Sequence, residues 1–145
     1  MNTPTRYASL TLTVLLAGAV MTGCGGDDKK DDAGASARQL ACRTFFLGGA
    51  GGGDSLVKTL QAVKTEGSYE PTALLAQVKT VRQGAGEAGS VAGLGDDDYE
   101  LYRAVVAATA AVESELLGVT DTRVLEDASV AAVASTLAAV DQRCG

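Results

Sequence analysis

Histidine, tryptophan and isoleucine are absent from this 145-residue chain, and aromatic residues make up only 4% of it. Without His there is no imidazole to act as base beside a Ser or Cys, and the commonest metal ligand is missing. Positive charge is also scarce. Twelve Lys and Arg stand against 18 Asp and Glu, a net charge of −6. Such a surface repels the phosphate backbone, so no nucleic acid is expected as a partner. No alternating apolar and polar run with hairpin turns is found, which removes the strand signal. What remains is a composition of 46% hydrophobic and 21% charged residues, that of a folded protein, in a length that allows one domain.

Charge is missing altogether between Tyr7 and Gly23, a stretch rich in Leu, Val, Ala and Thr that follows Arg6. A positive start, an apolar middle and small residues at the end describe a secretory signal peptide. A membrane-spanning helix needs about 20 apolar residues. Ser9, Thr11, Thr13 and Thr22 make this stretch a poor one, and no later segment is a better candidate.

The stretch ends in Val20-Met21-Thr22-Gly23-Cys24. This run resembles the lipobox of bacterial lipoproteins, in which an apolar residue, a small residue and Gly or Ala precede a Cys. The resemblance covers the first 24 residues, and Met21 stands where Leu is commoner. It implies that a diacylglyceryl group is attached to the Cys24 thiol, that the bond before Cys24 is cut, and that the mature chain is held on the extracytoplasmic face of a cell membrane. Thiol chemistry suits the step, because sulfur is the strongest nucleophile available near neutral pH. Two acyl chains supply the two hydrophobic signals that stable anchoring requires. The lack of Ile, the single Asn and the weight of Ala, Gly and Val fit a high-GC bacterium such as an actinomycete.

Three regions follow from this reading: a signal peptide over 1–23, a lipidated Cys with a flexible acidic and Gly-containing tether over 24–35, and a helical domain over 36–145. The tether has no large apolar side chain to bury. Its acids Asp27, Asp28, Asp31 and Asp32 are interrupted by Lys29 and Lys30, which speaks against a metal site. With Cys24 carrying lipid, Cys42 and Cys144 remain. In an oxidising compartment an even pair reads as a disulfide. The stripe Val130, Val133, Leu137, Val140 and Cys144 recurs at helical spacing, and Cys42 precedes Phe45 and Phe46 by one turn, so both thiols are expected to face the core.

Ala-rich composition favours helix. Five segments are expected: 37–47 capped by Ser36; a second from Asp54 or Ser55 to Gly67, with Leu56, Val57, Leu60 and Val63 inward; a third from Pro71, with Leu74, Leu75, Val78 and Val81 inward; a fourth over 97–117, with Leu101, Val105, Ala108, Val112 and Leu116 inward; and a fifth over 122–143. The five glycines between Gly84 and Gly95 suggest a frayed helix passing into a loop. One apolar stripe per helix and short connections point to an all-α, small antiparallel bundle of four to five helices with its termini joined by a disulfide.

The candidate sites read as scaffold. Asp96, Asp97, Asp98 and Glu100 fit acids at a helix N-terminus better than a calcium loop, which needs alternating acids around a Gly. Glu113 and Glu115 are two apart and do not share a face. Tyr99 and Arg103 are placed to stack, and Tyr69, Tyr99 and Tyr102 are expected half-buried. The run from Gly48 to Asp54 lacks the Lys and Ser/Thr of a phosphate loop and reads as a connector. No catalytic pair, metal site or cofactor is expected. The function expected is a non-enzymatic accessory or protein-interaction module, touching the membrane through the lipid on Cys24 and an envelope protein through a helix face. The alternative is a small-ligand carrier with an apolar cavity.

Overall fold

The computed structural model describes residues 29–48, 53–66, 70–117 and 125–145, with the side chains of 29–32 and 66 left aside. Its elements are α1 (Lys29–Leu47), α2 (Gly53–Glu66), α3 (Pro71–Gly89), α4 (Asp96–Leu116) and α5 (Asp127–Cys144). No strand occurs among the described residues. The molecule is an all-α bundle, and Cys42 is bonded to Cys144.

The three C-terminal helices run up, down and up. Gly89 meets Tyr102 across one end of α3 and α4, while Arg82 and Lys79 reach Glu113 near the other. Asp98 meets Arg143, and Glu115 meets Ser129, so α5 returns antiparallel to α4. The remaining lane, between α3 and α5, is filled twice. α1 lies along one half of it, where Ala37 approaches Gly93 and Cys42 joins Cys144. α2 continues in the same direction along the other half, from Gly53 beside Leu137 to Lys64 beside Asp127. Among the described residues the fold is thus a four-lane bundle made of five helices.

Apolar spacing explains this packing. Leu56, Leu60 and Val63 of α2, Leu74, Val78 and Val81 of α3, and Val130, Val133, Leu137 and Val140 of α5 each form one buried stripe. Val57, Leu75 and Leu101 lie at the edges of their stripes and are half-buried. α4 buries Asp98, Tyr102, Val105, Ala108, Thr109, Val112 and Leu116. Thr109 satisfies its buried hydroxyl by donating to the Val105 carbonyl at 2.7 Å.

Several boundaries differ from expectation. α1 begins at Lys29, inside the segment expected as tether, so Ser36 is an exposed residue within the helix and not its cap. Ala33, Ala35, Ala37 and Ala41 favour helix strongly enough to carry Gly34 with them. α3 runs unbroken to Gly89 instead of fraying at Gly84. Its glycines are packing residues. Gly84 is buried, and a Cβ on Gly89 would stand 3.3 Å from that of Tyr102. Only Gly93, with φ of +80°, serves as a turn residue in that stretch. α5 begins at Asp127, later than the expected 122, with Leu125 buried just before it. Neither Asp54 nor Ser55 caps α2, which starts at Gly53. The signal peptide, Cys24, Asp27, Asp28, Gly67, Tyr69 and Thr122 lie outside the described residues, as do 49–52 of the Gly-rich connector.

Candidate functional site

The densest chemistry lies where α1, α4 and α5 meet. Asp98 belongs to the first turn of α4, but its phase puts it one turn before Tyr102 and two before Val105 on the inward face. It is 2% exposed. Arg38 of α1 donates from Nε to Asp98 Oδ2 at 2.8 Å, and Arg143 of α5 donates from Nε to Oδ1. Burial pushes the Asp98 carboxyl up, but the hydrogen bonds and charges of the two guanidiniums outweigh it and hold its pKa below the ordinary carboxylate value. Arg143 is raised in turn, chiefly by the same hydrogen bond. The reading of 96–98 as helix-end acids therefore holds for all three, and Asp98 has a second role that it did not include: it ties three helices together.

Beside this carboxylate stands the disulfide. Cys42 is buried and Cys144 half-buried, with Cα atoms 5.7 Å apart. The Tyr102 hydroxyl lies 3.8 Å from both sulfurs, and its ring is 5.8 Å from that of Phe45. Tyr102 is nearly fully buried, contrary to the half-buried tyrosine expected. Burial, followed by the nearby Asp98 charge, raises its pKa and keeps the phenol neutral.

Over the disulfide runs a surface groove of ≈ 560 Å³ between α1 and the end of α5, bordered by Arg38, Gln39, Arg43, Phe46, Leu47 and Arg143. Phe46 was expected inward with Phe45; it is 37% exposed. Leu40 and Leu47 are 55% and 79% exposed on the same helix. Arg43 forms no ion pair among the described residues, unlike its neighbours Arg38 and Arg143. A second groove of ≈ 390 Å³ follows the α3–α4 seam, where Tyr99 and Tyr102 border small residues. There the Arg103 guanidinium carbon stands 5.8 Å from the centre of the Tyr99 ring, the stacking expected from their spacing.

Glu113 and Glu115 are separated as expected and serve different seams. Glu113 receives Arg82 and Lys79 of α3. Glu115 accepts the Glu126 backbone N–H at 2.8 Å and the Ser129 hydroxyl, which ties the start of α5 to the end of α4. No local signature announces that contact, because the glutamate lies eleven residues upstream of its backbone partner.

Among the described residues, no group of three or more ligand-type side chains is placed to hold a metal ion, and no helix is long and apolar enough to cross a membrane. The carboxylate with the lowered pKa is neutralised by two arginines, and the only sulfurs among the described residues are bonded to each other. These groups can hold helices together and can receive an anion or an apolar side chain. They offer no paired acid and base. The chain matches no described protein family, and no curated protein or solved structure is significantly similar to it.

Proposed function

We propose that this protein is a lipid-anchored, extracytoplasmic lipoprotein whose helical domain works as a non-enzymatic accessory or protein-interaction module of the cell envelope. The observation that carries the reading is the filled bundle with apolar side chains left outside it. Phe45, Leu56, Leu60, Leu74 and Val78 are at most 1% exposed, whereas Leu40, Phe46, Leu47, Tyr99 and Leu117 stand at the surface. A carrier needs an enclosed apolar cavity, and the two grooves described above open at the surface. An interaction module needs exposed apolar area on a firm body. The Cys42–Cys144 bond supports an oxidising compartment, in agreement with the lipobox-like run ending at Cys24.

Two measurements test this. Metabolic labelling with a clickable fatty acid is expected to mark the wild type and not Cys24→Ala; labelling of both places the lipid elsewhere. Native mass spectrometry of the protein from membranes is expected to show no bound small molecule beyond the covalent lipid. A retained ligand at stoichiometric occupancy overturns the module in favour of the carrier.

A further inference from the structure

We infer that the outer face of α1 lies against the anionic surface of a phospholipid bilayer, and that the acidic remainder of the bundle is turned away from it. The inference rests in part on the anchored reading above and names what covers the α1 face. Charge is divided unevenly along the fold. Residues 29–66, the shared α1–α2 lane, carry six Lys and Arg against four Asp and Glu, whereas residues 67–145 carry five against twelve. From Ala33 to Gly53 the sequence holds Arg38 and Arg43 and no acid at all. An acidic protein with one basic lane has a preferred orientation near a negative surface.

The exposed residues of α1 suit such a surface. Leu40, Arg43 and Leu47 follow at i, i+3 and i+7 and share one face, with Phe46 at its edge. Apolar side chains interleaved with an unpaired guanidinium are the composition of a helix lying in a membrane interface. Reach agrees with this. Four residues lie between Cys24 and Lys29, so the start of α1 stays within about 18 Å of the Cys24 backbone whatever path the chain takes. α1 itself is about 27 Å long, enough to lay Leu47 on the same surface. A second copy is a poorer occupant, because two-fold pairing of this face sets one basic lane against another.

The test couples the chain beginning at Cys24 through that thiol to a maleimide lipid in preformed vesicles; the other two cysteines are held in the disulfide. The chain has no Trp, so Leu47→Trp is a single reporter at an exposed position, and Leu117→Trp, 61% exposed just past the end of α4 in the lane diagonal to α1, is its control. On vesicles containing phosphatidylglycerol, the Leu47→Trp emission is expected to shift to the blue and to be quenched by brominated acyl chains. On phosphatidylcholine alone it is not, and the control is quenched on neither. Adding Arg43→Glu lowers the ratio of docked to undocked chains by about 5- to 30-fold, and so does about 1 M salt. No quenching of the Leu47→Trp reporter on anionic vesicles overturns the inference, as does equal quenching of the control. A blue shift without quenching that grows with protein density assigns the face to a second copy and overturns it too. Because the anchor is supplied chemically, the result does not depend on whether cells lipidate Cys24, which the metabolic labelling decides separately.

Discussion

α1 and α2 occupy the same lane of the bundle, yet different forces hold them. α1 is joined to α5 by a covalent bond, to α4 by a buried carboxylate with two arginines, and to the core by Ala41 and Phe45. α2 has three fully buried side chains, Leu56, Leu60 and Val63, and the exposed Lys64–Asp127 pair. Exposed pairs contribute little, so α2 depends on apolar burial. The half of the lane with fewer large side chains to bury carries the staple. Ala-rich helices approach closely but bury little area, and a clamp compensates where burial is thin.

Breaking the staple has the largest expected effect. Replacing both Cys42 and Cys144 by Ser opens a loop spanning 102 residues. The chain-entropy argument puts the cost at up to about 4.7 kcal/mol for a loop of this size. Urea unfolding should measure it, and hydrogen exchange should show α1 amides freed more than those of α2; equal loss in both helices would remove the distinction between them. Leu60→Ala attacks the other half. It is expected to cost about 2–5 kcal/mol and to raise exchange first in α2, with the disulfide intact.

Asp98→Asn sharpens the comparison, because it loosens the clamp without cutting it. Both guanidiniums remain about two-fifths exposed and can turn to water, so the expected loss is about 1–3 kcal/mol at neutral pH. The pH dependence has a definite sign. The folded Asp98 pKa lies below the ordinary carboxylate value of 3.8, so its contribution is fully present above that value and is lost as pH falls through the folded pKa. Wild type and Asp98→Asn should therefore converge in stability in that acid range. A gap that persists there would mean the carboxylate charge is not what joins the helices.

The smallest expected effect is a gain. Burial, and then the charge of Asp54, raises the Asp141 pKa, so its ionised form weakens the folded state at neutral pH and protonation relieves it. Asp141→Asn should stabilise by about 0.2–0.5 kcal/mol, read as a small rise in Tm that vanishes as pH falls through the folded pKa of Asp141.

Much of this fold was legible because helical periodicity is a strong signal in Ala-rich sequence. The stripe through Val130, Val133, Leu137, Val140 and Cys144 placed one thiol correctly and thereby the disulfide. The glycines misled, since Gly84 and Gly89 serve close packing inside α3 while Gly93 alone supplies a turn; composition does not separate these uses. Asp98 was hidden among three consecutive acids. Its phase with Tyr102 and Val105 was available, but choosing Leu101 for the inward face concealed it. The partners of Asp98 come from residues 60 positions earlier and 45 later, and no local pattern announces them. The site at Cys24 rests on the resemblance of five residues and not on the fold.

That site has a direct test. Intact-mass analysis of the native protein extracted from its own membranes should find a chain that begins at Cys24, carries a diacylglyceryl group, and takes up two alkyl groups only after reduction. A full-length chain still starting at Met1, with no added lipid and with thiols alkylated without reductant, would contradict the account.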